Sequence, residues 1–211
     1  MTTARLLAPL AFLLLMLSPG AFAHDGHDHG AAHARIADGK PLQPADGKVE
    51  VVEIFAYTCG HCANFEPTLK TWVRKAPPHV RFVYLPAAFS LDNNYARAFF
   101  AAESLGVLDR FHGAAYEAIH RLGTLPGRNA SVAEFAAFVR SLDIDPARFA
   151  AAMTSPATDA KMREAYEFAV RSGIQGTPTL VVNGRHRIQG QTHDETLHLV
   201  DTAIASEHDA R

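Results

Sequence analysis

Apolar positions follow three different rules along the chain. "VEVVEIFAY" (Val49 to Tyr57) and "VRFVYL" (Val80 to Leu85) are short runs dense in β-branched and aromatic residues, too short for typical helices, and they predict buried strands. Between them "CGHCANFEPTLKTWVRKA" sets Phe65, Leu69, Trp72 and Val73 at i, i+4, i+7, i+8 spacing, one stripe of a helix that ends before "PPHV". Pro67 is expected to kink that helix in its first turns. Strand, helix, strand is the βαβ pattern of a sheet with helical crossovers.

From about Asp92 to Arg171 the period becomes helical. "YARAFFAAESLG" and "FHGAAYEAIHRLG" each close on a glycine stop. "SVAEFAAFVRSLDI" opens with Ser131 and Glu134 at capping-box spacing, and "DPARFAAAM" with Asp145 as N-cap and Pro146 at the first helical position. "TDAKMREAYEFAVRSG" places Met162, Tyr166 and Val170 on one stripe, expected to be a core seam. Strands return with "TPTLVV", an Asn183-Gly184 turn and "RHRIQG", which predict a hairpin. A last helix runs from about Asp194 to Glu207, opened by Thr192 and Glu195.

The N-terminus changes the picture of compartment. "MTTAR" is followed by "LLAPLAFLLLML", an apolar run of secretory length, and then by "SPGAFAHDG", where Ala21 and Ala23 form a small-x-small cleavage pattern. Residues 1–23 are therefore expected to be a signal peptide cleaved after Ala23, exporting the chain to an oxidising compartment. Residues 24–40 lack apolar periodicity and predict a flexible leader. Its His24, His27, His29 and His33, with Asp25 and Asp28, offer ligands for a metal ion, though imidazoles on a flexible segment bind weakly unless ordered. The net charge of −2 gives no reason to expect nucleic acid or an anionic membrane as partner.

The 211 residues contain two cysteines, Cys59 and Cys62, where the first strand gives way to the first helix. Half a metal site, a structural bridge and a redox dithiol all fit that spacing. A structural zinc needs four ligands and only His61 is near in sequence. A four-residue loop gains little from cross-linking. A redox pair uses the geometry directly: Cys59 at a helix N-terminus meets unsatisfied N–H groups and the helix dipole, which lower a thiol pKa. His61 adds a positive charge or a hydrogen bond, and Gly60 lets backbone amides approach the sulfur.

"VEIFAYTCGHC", the helical block after "VRFVYL" and "GTPTLVVNG" together resemble the DsbA family of periplasmic thiol:disulfide oxidoreductases in the thioredoxin superfamily, over about Gly39 to Ser206. The resemblance implies an α/β thioredoxin fold in two segments, 41–88 and 160–211, with an inserted all-helical domain at 89–159. It implies Cys59 as exposed nucleophile and Cys62 as buried resolving thiol. Pro178 would be a cis-proline facing the pair, with Thr177 offering backbone hydrogen bonds to an extended substrate. Glu53, an acid inside an apolar strand, resembles the buried proton acceptor behind the resolving cysteine. Gly60 stands where relatives commonly carry proline; "CGHC" is usual in protein disulfide isomerases, which brackets the potential between roughly −120 and −180 mV.

The expectation is a monomeric dithiol oxidase without a bound cofactor. It would donate its Cys59–Cys62 disulfide to newly translocated proteins with reduced cysteines, and a DsbB-like, quinone-linked membrane partner would reoxidise it. A disulfide reductase or isomerase of the same superfamily is the neighbouring reading. A periplasmic metal-binding protein using the histidine leader is the reading from another class.

Overall fold

The computed structural model describes residues 32–44 and 46–210. The signal segment and His24, His27 and His29 lie outside them. Elements run in the order β1 (His33–Arg35), β2 (Val49–Phe55), α1 (Gly60–Lys75), β3 (Val80–Pro86), α2 (Asn94–Ser104) and α3 (Leu108–Glu117). A π-turn (Ala118–Leu122) extends α3, and α4 (Val132–Arg140), α5 (Pro146–Met153), α6 (Pro156–Arg171), β4 (Thr179–Val182), β5 (His186–Ile188) and α7 (His193–Asp209) follow. The five strands form one sheet in the order β1-β5-β4-β2-β3. β2 and β3 are parallel, as a βαβ unit requires, and the other pairs are antiparallel.

β2 is buried along its whole length. Val49 and Val51 pack with Phe65 and Leu69 of α1 and Val200 and Ile204 of α7. Val52 and Ile54 pack on the other side with Phe99 of α2, Phe111 of α3 and Phe168 of α6. A strand covered on both faces reads as a continuous apolar run, which is why β2 was visible in sequence. The Asn183-Gly184 turn joins β4 to β5 with both residues in the left-handed region, φ 53 and 69. A Cβ at Gly184 would lie 2.0 Å from the Lys40 carbonyl oxygen, so the backbone approach there needs glycine. Ser131 and Glu134 form the expected capping box, and Asp145 and Thr192 cap α5 and α7.

Two expectations change. His33–Arg35, assigned by composition to a flexible leader, pairs with β5, and His33 Nε2 lies 2.9 Å from Nδ1 of the buried His186. That pairing depends on a strand edge more than 150 residues away, which local composition does not register. In α6, Met162 is buried but Tyr166 and Val170 are 45% and 59% exposed. The inward face is Met162, Ala165, Phe168 and Ala169, where two alanines lie among the larger side chains and shift the stripe away from Tyr166 and Val170. α1 runs from Gly60 through Pro67 as one helix.

Candidate active site

β2 ends at Phe55, and a turn closed by Cys59 N–H donating to the Ala56 carbonyl (3.0 Å) leads into α1. Cys59 is the N-cap: its backbone is extended and its sulfur accepts from Cys62 N–H at 3.3 Å, the place where a helix offers unpaired donors. β4 lies beside β2 with Ile54 opposite Thr179. That register brings the preceding loop against the cysteine, and the Thr177 carbonyl oxygen lies 3.2 Å from Cys59 Sγ. The Thr177-Pro178 peptide is cis. Both cysteines are free thiols; Cys59 is half-buried and Cys62 fully buried.

Their acidities are pushed apart. The Cys62 thiol, hydrogen-bonded to the Cys59 sulfur, is the largest cause that brings Cys59 down to about 5, against the opposing cost of partial burial. The Thr177 hydroxyl and the backbone N–H groups of Cys62 and His61 add to the lowering. The Thr177 carbonyl contact favours the protonated thiol, and the donors outweigh it. Cys62 is driven up by the same contact and by burial. His61 acts on the sulfur through its backbone N–H, while its side chain is exposed. A Cβ added at Gly60 would meet nothing within 4 Å, so the approach of the amides does not depend on glycine there.

The contribution of the Thr177 hydroxyl is separable from its backbone. Thr177→Val keeps the shape and removes the donor. The Cys59 titration, followed by the ultraviolet absorbance of the thiolate, is expected to rise by about half to one pH unit, the equivalent of one hydrogen bond. An unmoved titration would leave the hydroxyl without a part in it.

Behind the pair lies a buried group of titratable side chains. Glu53, 1% exposed in mid-β2, is pushed well above the carboxylate range by burial, then by the charges of Glu66 and Cys59. Its Oε2 has no hydrogen-bond partner, as suits an acid that stays protonated. Glu66 of α1 accepts from the Tyr84 hydroxyl through both oxygens at 3.2 Å, and His112 Nε2 faces its Oε2 at 3.5 Å. Tyr57 OH lies 2.8 Å from His112 Nδ1, and His120 Nε2 lies 2.7 Å from the Tyr57 carbonyl oxygen. Sequence reasoning missed Tyr57, Glu66, Tyr84, His112 and His120. Glu66 was within reach, because it lies four residues after Cys62 and so on the same face of α1. The two histidines come from the helical block, where nothing local ties them to the thiols. Among the described residues no three His, Cys, Asp or Glu side chains gather as a metal site.

A free thiol pair at a helix N-terminus, one activated and one suppressed, set against a cis-proline loop in this sheet, defines a thioredoxin-fold dithiol protein. Residues 44–202 match the family model described as Thioredoxin. The chain is 35% identical over 203 residues to the thiol:disulfide interchange protein DsbA of Pseudomonas aeruginosa, covering 94% of this chain and 95% of that one. It is 36% identical over 169 residues to the protein of the same name from Azotobacter vinelandii, covering 78% of each. The crystal structure of oxidoreductase DsbA from Xylella fastidiosa superposes with a TM-score of 0.81 at 39% identity, covering 84% of this chain and 96% of that one. The chain belongs to the DsbA family of the thioredoxin superfamily, with the helical insert that family carries, and is a thiol:disulfide oxidoreductase.

Proposed function

We propose that this oxidoreductase works as an oxidase, passing a Cys59–Cys62 disulfide to reduced, newly translocated proteins in the periplasm. The observation that carries the reading is the split in acidity, with Cys59 held to about 5 while Cys62 is pushed up. A thiolate that is stable at neutral pH is a good leaving group, so a disulfide that contains it is readily given away.

A substrate thiolate attacks Cys59 Sγ in the oxidised protein. The S–S bond breaks and its electron pair goes to Cys62, which takes a proton. Glu53, kept protonated by its buried site, relays that proton from solvent to the sulfur and relays it out again on reoxidation. A second substrate thiolate then attacks the substrate sulfur of the mixed disulfide and expels Cys59 as the thiolate. The substrate has lost two electrons and the protein dithiol has gained them. Thr177 and Pro178, in the loop against the sulfur, present backbone to the extended substrate, and the backbone N–H groups of His61 and Cys62 hold the thiolate. A DsbB-like membrane partner takes the electrons onward, and the protein works as a monomer without a cofactor.

This assignment of roles extends to the whole chain: residues 1–23 direct export and are cleaved after Ala23, and 89–159 is the helical insert between the segments 41–88 and 160–211. The apolar run followed by Ala21 and Ala23 supports export. Among the described residues no helix is long and apolar enough to cross a membrane. Mixing the oxidised protein with an equal amount of a reduced, unfolded protein is the test. About two substrate thiols should disappear per molecule of enzyme, and none with Cys59→Ser. Substrate thiols that persist beside an intact enzyme disulfide would sink the oxidase reading.

A further inference from the structure

Two histidines of the helical insert grip Tyr57, the residue two places before Cys59. Its hydroxyl meets Nδ1 of His112 on α3 at 2.8 Å, inside the core. Its carbonyl oxygen meets Nε2 of His120, in the π-turn that extends α3, at 2.7 Å. The second contact fixes the proton of its ring. Burial raises the Tyr57 phenol well above its ordinary range, so the hydroxyl keeps its proton, and as donor or acceptor it pairs with Nδ1 of His112. Nε2 of the same ring faces Glu66 Oε2 at 3.5 Å. A carbonyl only accepts, so Nε2 of His120 must carry the N–H in the second contact. π-turns are uncommon and recur at functional sites, and this one holds the residue that reaches the redox loop.

What the grip controls is the place of the nucleophile. Tyr57 lies inside the turn from Ala56 to Cys59, which is closed by a single backbone bond of 3.0 Å. Cys59 Sγ has to stay 3.3 Å from Cys62 N–H to be stabilised as an anion. A turn held at both its side chain and its carbonyl cannot swing the sulfur away from those donors. We propose that His112 and His120 are positioning residues of the redox reaction: by fixing Tyr57 they hold Cys59 on the amides of α1, so the helical insert sets the acidity of the nucleophile. The inference rests on Cys59 being that nucleophile.

His120 is exposed, so His120→Ala removes the carbonyl contact without opening a cavity. The thiolate absorbance of the reduced protein, followed as pH is varied, is the readout. The Cys59 titration in His120→Ala is expected to move up by about half to one pH unit, a threefold to tenfold change equivalent to one hydrogen bond. His120→Gln, which returns an N–H donor, should move it back toward the parent value, and Arg121→Ala on the next residue should leave it in place. Tyr57→Phe, which keeps the ring and removes the hydroxyl held by His112, should move the titration in the same direction. A parent protein whose Cys59 titrates near the ordinary value of about 8.5 would remove the reading of Cys59 itself. A parent that titrates low, with His120→Ala and Tyr57→Phe titrating beside it whatever their melting temperatures, would overturn the positioning role alone.

Discussion

Cys62→Ser, oxidised with substrate proteins carrying reduced cysteines, is expected to accumulate as mixed disulfides through Cys59, while Cys59→Ser forms almost none. The sequence of bond changes requires this. Cys59 is the accessible sulfur and the stabilised anion, so it forms the intermolecular bond; Cys62 is buried with its thiol pushed up, and its part is to close the disulfide again. Thiol–disulfide exchange slows as the fraction of thiolate falls, and the low acidity of Cys62 together with its burial makes the contrast between the variants on the order of a hundredfold. Non-reducing gels read it directly. Trapping by Cys59→Ser instead would reverse the roles of nucleophile and resolver.

The second large effect is on stability. Below about pH 4 the oxidised protein should melt higher than the reduced one, and raising the pH to about 7.5 should move the difference toward the reduced form by about 2 to 8 °C. Cys59 is held to about 5 in the folded, reduced protein against about 8.5 in an unfolded chain. A depressed folded pKa contributes stability that is complete above about 8.5 and lost as the pH falls through about 5. The whole shift would be worth roughly 2.7 kcal/mol at neutral pH, and screening at a sulfur open to solvent on one side reduces it to about 1 to 2 kcal/mol. The disulfide of the oxidised form closes a four-residue loop for about 1.9 kcal/mol in the chain-entropy account, at every pH. Carboxylates away from the pair cancel between the two forms, so the difference reports the thiolate together with its charge coupling to Glu53. A difference in melting temperature that stays the same from about pH 4 to 7.5 would mean that Cys59 is an ordinary thiol.

The parts of the fold that were legible in the sequence are those whose cause is local. β2, β3, the hairpin and every capped helix start carry their own signals in run length, period, turn dipeptide or cap, and the structure has them within a few residues. β1 was not legible, because its strand character comes from the edge of β5 and the ring of His186. The α6 seam was misjudged because two of the residues that line it are alanines. At the site, Cys59, Cys62, Thr177 and Pro178 could be named because spacing and family resemblance point to them, and the register of β4 on β2 brings them together. Gly60 entered for a steric reason that the open space around it does not require. Tyr57, Glu66, His112 and His120 could not be assembled, since their contacts span up to 63 positions and cross from the helical insert to the sheet.

The redox equilibrium with glutathione tests the activated dithiol most directly. If Cys59 is held as a thiolate, the reduced protein is stabilised relative to its disulfide, and the potential should fall between roughly −120 and −180 mV, the values of a DsbA and of protein disulfide isomerase. A potential at or below about −270 mV, where thioredoxin lies, would contradict the account, because a pair so readily oxidised would take disulfides from substrates and not give them.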